Sequence, residues 1–187
     1  MFHAVLPSLF GRRRPILVPA SVLADGAADY ALVSSVVGWL NRVRDEGCYH
    51  ADEIAAEAPQ AYNADYYYAQ VCNGGHWQFA HHSRMDATTI AHAIDGLTAA
   101  GLTELAACLT TLRDRRAGSD DEAAFAALDT RFYAAYGTYH ARMNAWLRPK
   151  VRVVPDASYA ARMEILLRRD PSASAGSSTA RSIGSRR

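Results

Sequence analysis

The chain has 187 residues, half of them hydrophobic and 21% charged, with a formal net charge of +1. This length fits one domain with a sizeable core, and the composition excludes collagen-like and disulfide-stapled classes. Residues 25–169 hold 14 basic and 18 acidic residues, a balance of −4 that excludes a basic nucleic-acid-binding surface on the body.

Residues 1–20 carry Pro7, Pro15, Pro19 and the run Arg12-Arg13-Arg14, and are expected to form a flexible basic arm. The all-helical domain then runs from 21 to 170. In its first helix Tyr30, Val33, Val37 and Leu40 recur at one face of a 3.6-residue repeat, with Asp25 or Asp29 as the cap and Gly47 at the end. A short helix is expected over 51–58, stopped by Pro59. The next, over 60–72, carries Ala61, Ala64, Tyr68 and Val71 and stops at Asn73-Gly74-Gly75, and a new helix starts at His76.

Asp86 caps a helix with Ala87, Ile90, Ile94 and Leu97 in phase, ended by Gly101, and Leu102, Leu105, Leu109 and Leu112 repeat the spacing. Ser119-Asp120-Asp121-Glu122 reads as a capping box. The long helix after it uses Phe125, Leu128, Phe132, Tyr139, Met143 and Trp146, and Pro149 closes it. Val151–Val154 is a connector or one edge strand. Asp156 caps a last helix with Tyr159, Met163 and Leu166, stopped by Pro171. Residues 171–187 are Ser/Ala/Arg-rich and read as disordered. The fold class is therefore all-α, a single-domain bundle of about six to seven helices with a glycine-broken corner.

That corner is the unusual spot. Asn73, Gly74 and Gly75 end one helix where positive φ is cheap, and the chain restarts through His76, Trp77, Gln78 and Phe79. A restarting helix leaves backbone N–H groups free. Two readings stand side by side. In one the amides of Asn73 and Gln78 satisfy those groups and the corner is structural. In the other the helix N-terminus receives an anion or a partner's carboxylate. Tyr62, Tyr66, Tyr67, Tyr68, Trp77 and Phe79 crowd the same place. Consecutive helical residues point about 100° apart, so not all three of Tyr66, Tyr67 and Tyr68 face one core.

The ordered residues Asn73-Gly74-Gly75, then Gln78 and Phe79, followed by the run Ile90 to Leu102, resemble the bacterial DNA-mimic protein family, a helical domain of otherwise unknown function. The likeness covers roughly residues 55–147. His76 stands where that family has another aromatic, and His82 where it often has asparagine. The resemblance implies an all-helical fold, no catalysis, and contact with a protein partner, in one member a DNA-binding protein. Imitating DNA phosphates requires a dense carboxylate array, which a body of −4 lacks.

Other chemistry has weaker support. His76, His81, His82, Cys72 and His50 are metal-ligand types, but His81 and His82 are adjacent on a helix and no paired ligand spacing occurs. Cys72 with His76, or Cys108 with His92, is a conceivable nucleophile pair. More simply, Cys72 and Cys108 are small hydrophobes on apolar faces. Three cysteines without a secretory signal point to reduced thiols and a cytoplasmic protein. No apolar run approaches 18 residues, so no membrane contact is expected.

The leading expectation is a non-enzymatic binding or regulatory module, with no cofactor or metal. Its corner is Asn73, Gly74, Gly75, His76, Trp77, Gln78, Phe79 and Tyr67. The alternative is a small-molecule or anion-binding domain, or an enzyme, with a pocket at that corner. A homodimer is the third reading.

Overall fold

The computed structural model describes residues 13–115 and 122–168. In chain order these residues form β1 (Ile16–Pro19), a 3-10 turn (Ala20–Leu23), α1 (Ala31–Asp45), a second 3-10 turn (Ala51–Glu53), α2 (Glu57–Ser83), α3 (Ala87–Ala99) and α4 (Thr103–Arg113). There follow α5 (Glu122–Ala135), a third 3-10 turn (Tyr136–Thr138), α6 (Tyr139–Leu147), β2 (Val151–Val154) and α7 (Asp156–Leu167). The fold is an all-α bundle with one small parallel strand pair.

The core follows the helical repeat, shifted by a residue in places. In α1 the inward set is Leu32, Val33, Val36, Trp39, Leu40 and Val43, while Tyr30 and Val37 fall outside it. In α2 it is Ala58, Ala61, Ala64, Tyr67 and Val71, so Tyr67 rather than Tyr68 points inward. Alanines on this face let α3 approach closely. A Cβ on Gly96 of α3 would lie 2.6 Å from the Gln60 carbonyl oxygen.

Several boundaries held. Asp86 accepts from the Thr89 amide at 2.7 Å and caps α3. Gly101, at φ 72°, closes it, with Gly101 N–H donating to Thr98 and Leu102 N–H to Leu97, the paired bonds of a left-handed helix end.

Others differ for physical reasons. Pro59 does not stop a helix; it lies in the first turn of α2, where its missing N–H has no helical partner to lose. The position before α1 is Tyr30, without a side-chain cap, and the Asp29 carbonyl instead accepts from Asn144. After α1 the left-handed residue is Cys48, not Gly47. The long helix expected up to Pro149 is two helices, interrupted at Tyr136-Gly137-Thr138, where glycine and threonine are poor helix formers. A 3-10 turn keeps nearly the same phase, so the apolar periodicity survives the interruption. Asp156 is the first residue of α7 rather than its cap, and its carboxylate accepts from the Ser21 amide and hydroxyl.

The largest departure is at the start. Ile16, Leu17 and Val18, inside the expected flexible arm, are buried and pair in parallel with Val151–Val154. Pro15 precedes β1 and Pro19 is its last residue, positions at which proline is permitted. The capping box at 119–122, the tail 171–187 and Pro171 lie wholly or mostly outside the described residues. No helix among the described residues is long and apolar enough to cross a membrane.

Candidate functional site

α2 breaks where the paired glycines predict. Gly74 has φ −162° and ψ 28°, and Gly75 has φ 71° and ψ −176°. The first is extended backbone open to any residue. The second lies where side chains are strained. Close approach adds to this: a Cβ on Gly75 would sit 2.5 Å from Oδ2 of Asp129.

Both ends of the break are closed by one face of α5. The Val71 carbonyl, in the last turn before the interruption, accepts from the Tyr133 hydroxyl at 2.9 Å. The His76 amide, first after it, donates to Asp129 Oδ1 at 2.8 Å. Asp129 and Tyr133 are one helical turn apart, so they meet the two broken ends together. The seat expected for an outside anion therefore holds the chain's own carboxylate. The amides of Asn73 and Gln78 do not cap the restart. Asn73 is exposed, and Gln78 donates its side-chain N–H to the Gln70 side chain at 2.9 Å. His82 meets the same Gln70 oxygen at 2.8 Å.

His76 itself is fully buried. Its Nδ1 lies 2.6 Å from Asp129 Oδ1 and its Nε2 lies 2.8 Å from the Tyr67 hydroxyl. A carboxylate only accepts, so Nδ1 carries the hydrogen and Nε2 accepts from Tyr67. Burial pushes the His76 pKa below its ordinary value, against the upward pull of Asp129. The ring is therefore neutral, and the Tyr67 phenol is raised by burial. Phe79 and Phe132 meet the Tyr67 ring edge-on at 5.1 and 5.7 Å and help bury Tyr67 and His76, while Asp129 stays partly exposed.

The expected residues thus divide. Tyr67, Gly75, His76 and Phe79 converge inside, whereas Asn73, Gly74 and Trp77 face outward. Trp77 is 54% exposed, with the His81 ring stacked on it at 5.2 Å. The metal-ligand types are not brought together: both nitrogens of His76 are engaged, and among the described residues no three His, Cys, Asp or Glu side chains form a group able to hold an ion. Cys108 is buried as expected, but Cys72 is exposed. Desolvation, partial at the exposed Cys72, raises the pKa of both thiols, which opposes the thiolate that a nucleophile needs.

Two residues of the site were not foreseen. Asp129 and Tyr133 lie 53 and 62 residues from their partners. Asp129 did leave a trace in the sequence: it stands four residues after Phe125 and three before Phe132, a polar residue on the inward stripe.

The model of the DMP19-like protein family matches residues 52–150, the stretch from the second 3-10 turn through α6 with the corner inside it. The chain belongs to the DMP19-like protein family. No curated protein and no solved structure matches it. The resemblance drawn from the corner motif and the Ile90–Leu102 run is therefore a family relationship. It covers the part of the fold in which α5 closes the break in α2.

Proposed function

We propose that this DMP19-like domain is a non-enzymatic binding or regulatory module that acts through contact with a protein partner. The observation that carries this reading is the contrast between a sealed interior and an aromatic exterior. Tyr67, His76 and Asp129 spend their polar groups on one another. Outside them Trp77 is 54%, Tyr133 45% and Tyr136 36% exposed. Such rings supply large contact areas at low entropic cost, as protein interfaces use them.

Charge supports contact through these rings over imitation of a phosphate backbone. Glu104 is paired with Arg131 at 2.7 Å, Asp114 with Arg113 at 2.8 Å, and Glu57 with Lys150 at 3.4 Å. Carboxylates neutralised in this way do not present the field of a polyanion.

The test is capture of a partner by the full chain and by Trp77→Ala, whose exposed ring is removable without opening the core. A partner retained by the wild type and held at least tenfold less by the variant is expected, since an interface tryptophan is worth about 2 kcal/mol or more. Equal retention removes the corner from the interface. Recovery of the chain alone counts against the binding role.

A further inference from the structure

A second half-buried acid, Asp65, lies on the first half of α2 and takes no part in the corner. Its one hydrogen-bond partner among the described residues is the Tyr139 hydroxyl, at 3.5 Å, the outer limit for such a bond. His140 exerts a favourable charge effect on it, and no described arginine or lysine pairs with it. A carboxylate offers about four lone-pair sites, so most of this one's capacity is unfilled. Desolvation holds its pKa above the usual aspartate range.

Rings surround it. Tyr68 lies one turn from Asp65 and stacks on Tyr139, with centroids 4.0 Å apart and planes 9° from parallel. Tyr136 is 6.3 Å from Tyr68, and His140 meets it edge-on at 5.3 Å. Tyr139 is buried, and Tyr136 is exposed.

We propose that Asp65, Tyr68, Tyr136, Tyr139 and His140 form a receptor for the cationic head of an arginine or lysine side chain from a protein partner. The chemistry rests on this cluster; the source of the cation rests on the reading of the domain as a protein-contact module. A half-buried carboxylate with no arginine or lysine beside it gains most from a cation, and the exposed Tyr136 ring favours an organic one. Guanidinium fits both demands, since it forks onto carboxylate and stacks on rings. A metal ion needs several oxygen, nitrogen or sulfur ligands, and one aspartate with one histidine falls short.

The test is an NMR titration of the full chain with Nα-acetyl-arginine amide and with its neutral citrulline isostere. The expected result is saturable shifts centred on Tyr68, Tyr136 and His140, with a dissociation constant on the order of 1 mM, a plausible strength for one side chain. Citrulline should bind at least tenfold more weakly. Asp65→Asn, nearly isosteric, should weaken arginine by at least tenfold as well. No saturable shift, equal binding of citrulline, or undiminished binding to a folded Asp65→Asn variant overturns the proposal. Spermidine shifting these resonances where the arginine probe does not also overturns it, in favour of a free polyamine. The citrulline comparison needs no variant, so the test stands if Asp65→Asn misfolds. Because the probes are free molecules, failure here leaves the partner-capture test untouched.

Discussion

Two titratable side chains on α2, one on each side of its break, meet opposite fates. His76 is fully buried, yet its backbone N–H and both ring nitrogens have partners within 2.8 Å. Asp65 is only half-buried, yet its one bond is 3.5 Å long. Burial lowers the pKa of the first and raises that of the second, in both cases favouring the neutral form. The difference lies in what surrounds them. A buried polar group with full partners holds a structure together, and one without them is a standing cost that a ligand could relieve. The first group belongs to the architecture of the break and the second to its surroundings, where function has room to act.

The sharpest way to break the comparison is at Gly75. Gly75→Val places a β-branched side chain at φ 71° and drives its Cβ into the Asp129 carboxylate. Backbone strain and the loss of the Asp129 bonds together should destabilise by about 3 kcal/mol. For a chain of this size that lowers Tm by roughly 9 °C, readable by circular dichroism. Gly74→Ala is the control. Its φ is ordinary, and the new methyl meets the Gln78 side chain, whose amide end can swing aside at the loss of its bond to Gln70. Equal effects from the two would mean that the left-handed geometry is not the constraint.

How much of this was legible in the sequence follows from distance along the chain. The break itself was, because asparagine and glycines act locally on φ and ψ. The caps at Asp86 and Gly101 were local in the same way. Asp129 was not, since a lone aspartate among Phe125, Leu128 and Phe132 looks the same whether it faces water or reaches a helix end 53 residues away. β1 was hidden by its prolines, which forbid helix and so suggested an arm. The partner that makes those residues a strand lies at Val151–Val154, at the other end of the domain. Tyr67 stands out in the sequence as one of three consecutive tyrosines, but the phase that buries it in place of Tyr68 depends on α5 packing against α2.

The next effect is that of the His76 acceptor. Asp129→Ala leaves the His76 amide and Nδ1–H without their oxygen and should cost about 2 kcal/mol in urea unfolding. It also carries a pH signature. The native pKa of His76 lies below its unfolded value of about 6.5. Between the two the unfolded chain binds the extra proton, so stability falls as pH drops through that window and is level above it. Asp129 supplies the main upward pull on His76, so its removal widens the window and deepens the loss between pH 7.5 and 5.5. A wild-type stability that rises on acidification over this range would mean that His76 is not held neutral.

The smallest effect has the opposite sign and tests the other half of the comparison. Asp65→Asn replaces a poorly partnered carboxylate by a neutral group of nearly the same shape. At pH 7 the wild type must keep a charge where burial disfavours it, while the variant does not. Solvent reaches this half-buried site and screens part of the penalty, so the gain should be small, about 0.5 kcal/mol. Its pH dependence identifies the cause. The folded pKa of Asp65 is raised, so the wild type regains the difference as acid protonates the carboxylate, and the advantage of Asn shrinks as pH falls toward about 4. A substitution that destabilises at pH 7 instead would show that the carboxylate is well partnered in the free protein. Asp65 would then belong with His76 among the groups that hold the fold, and the contrast between the two sides of the break would disappear.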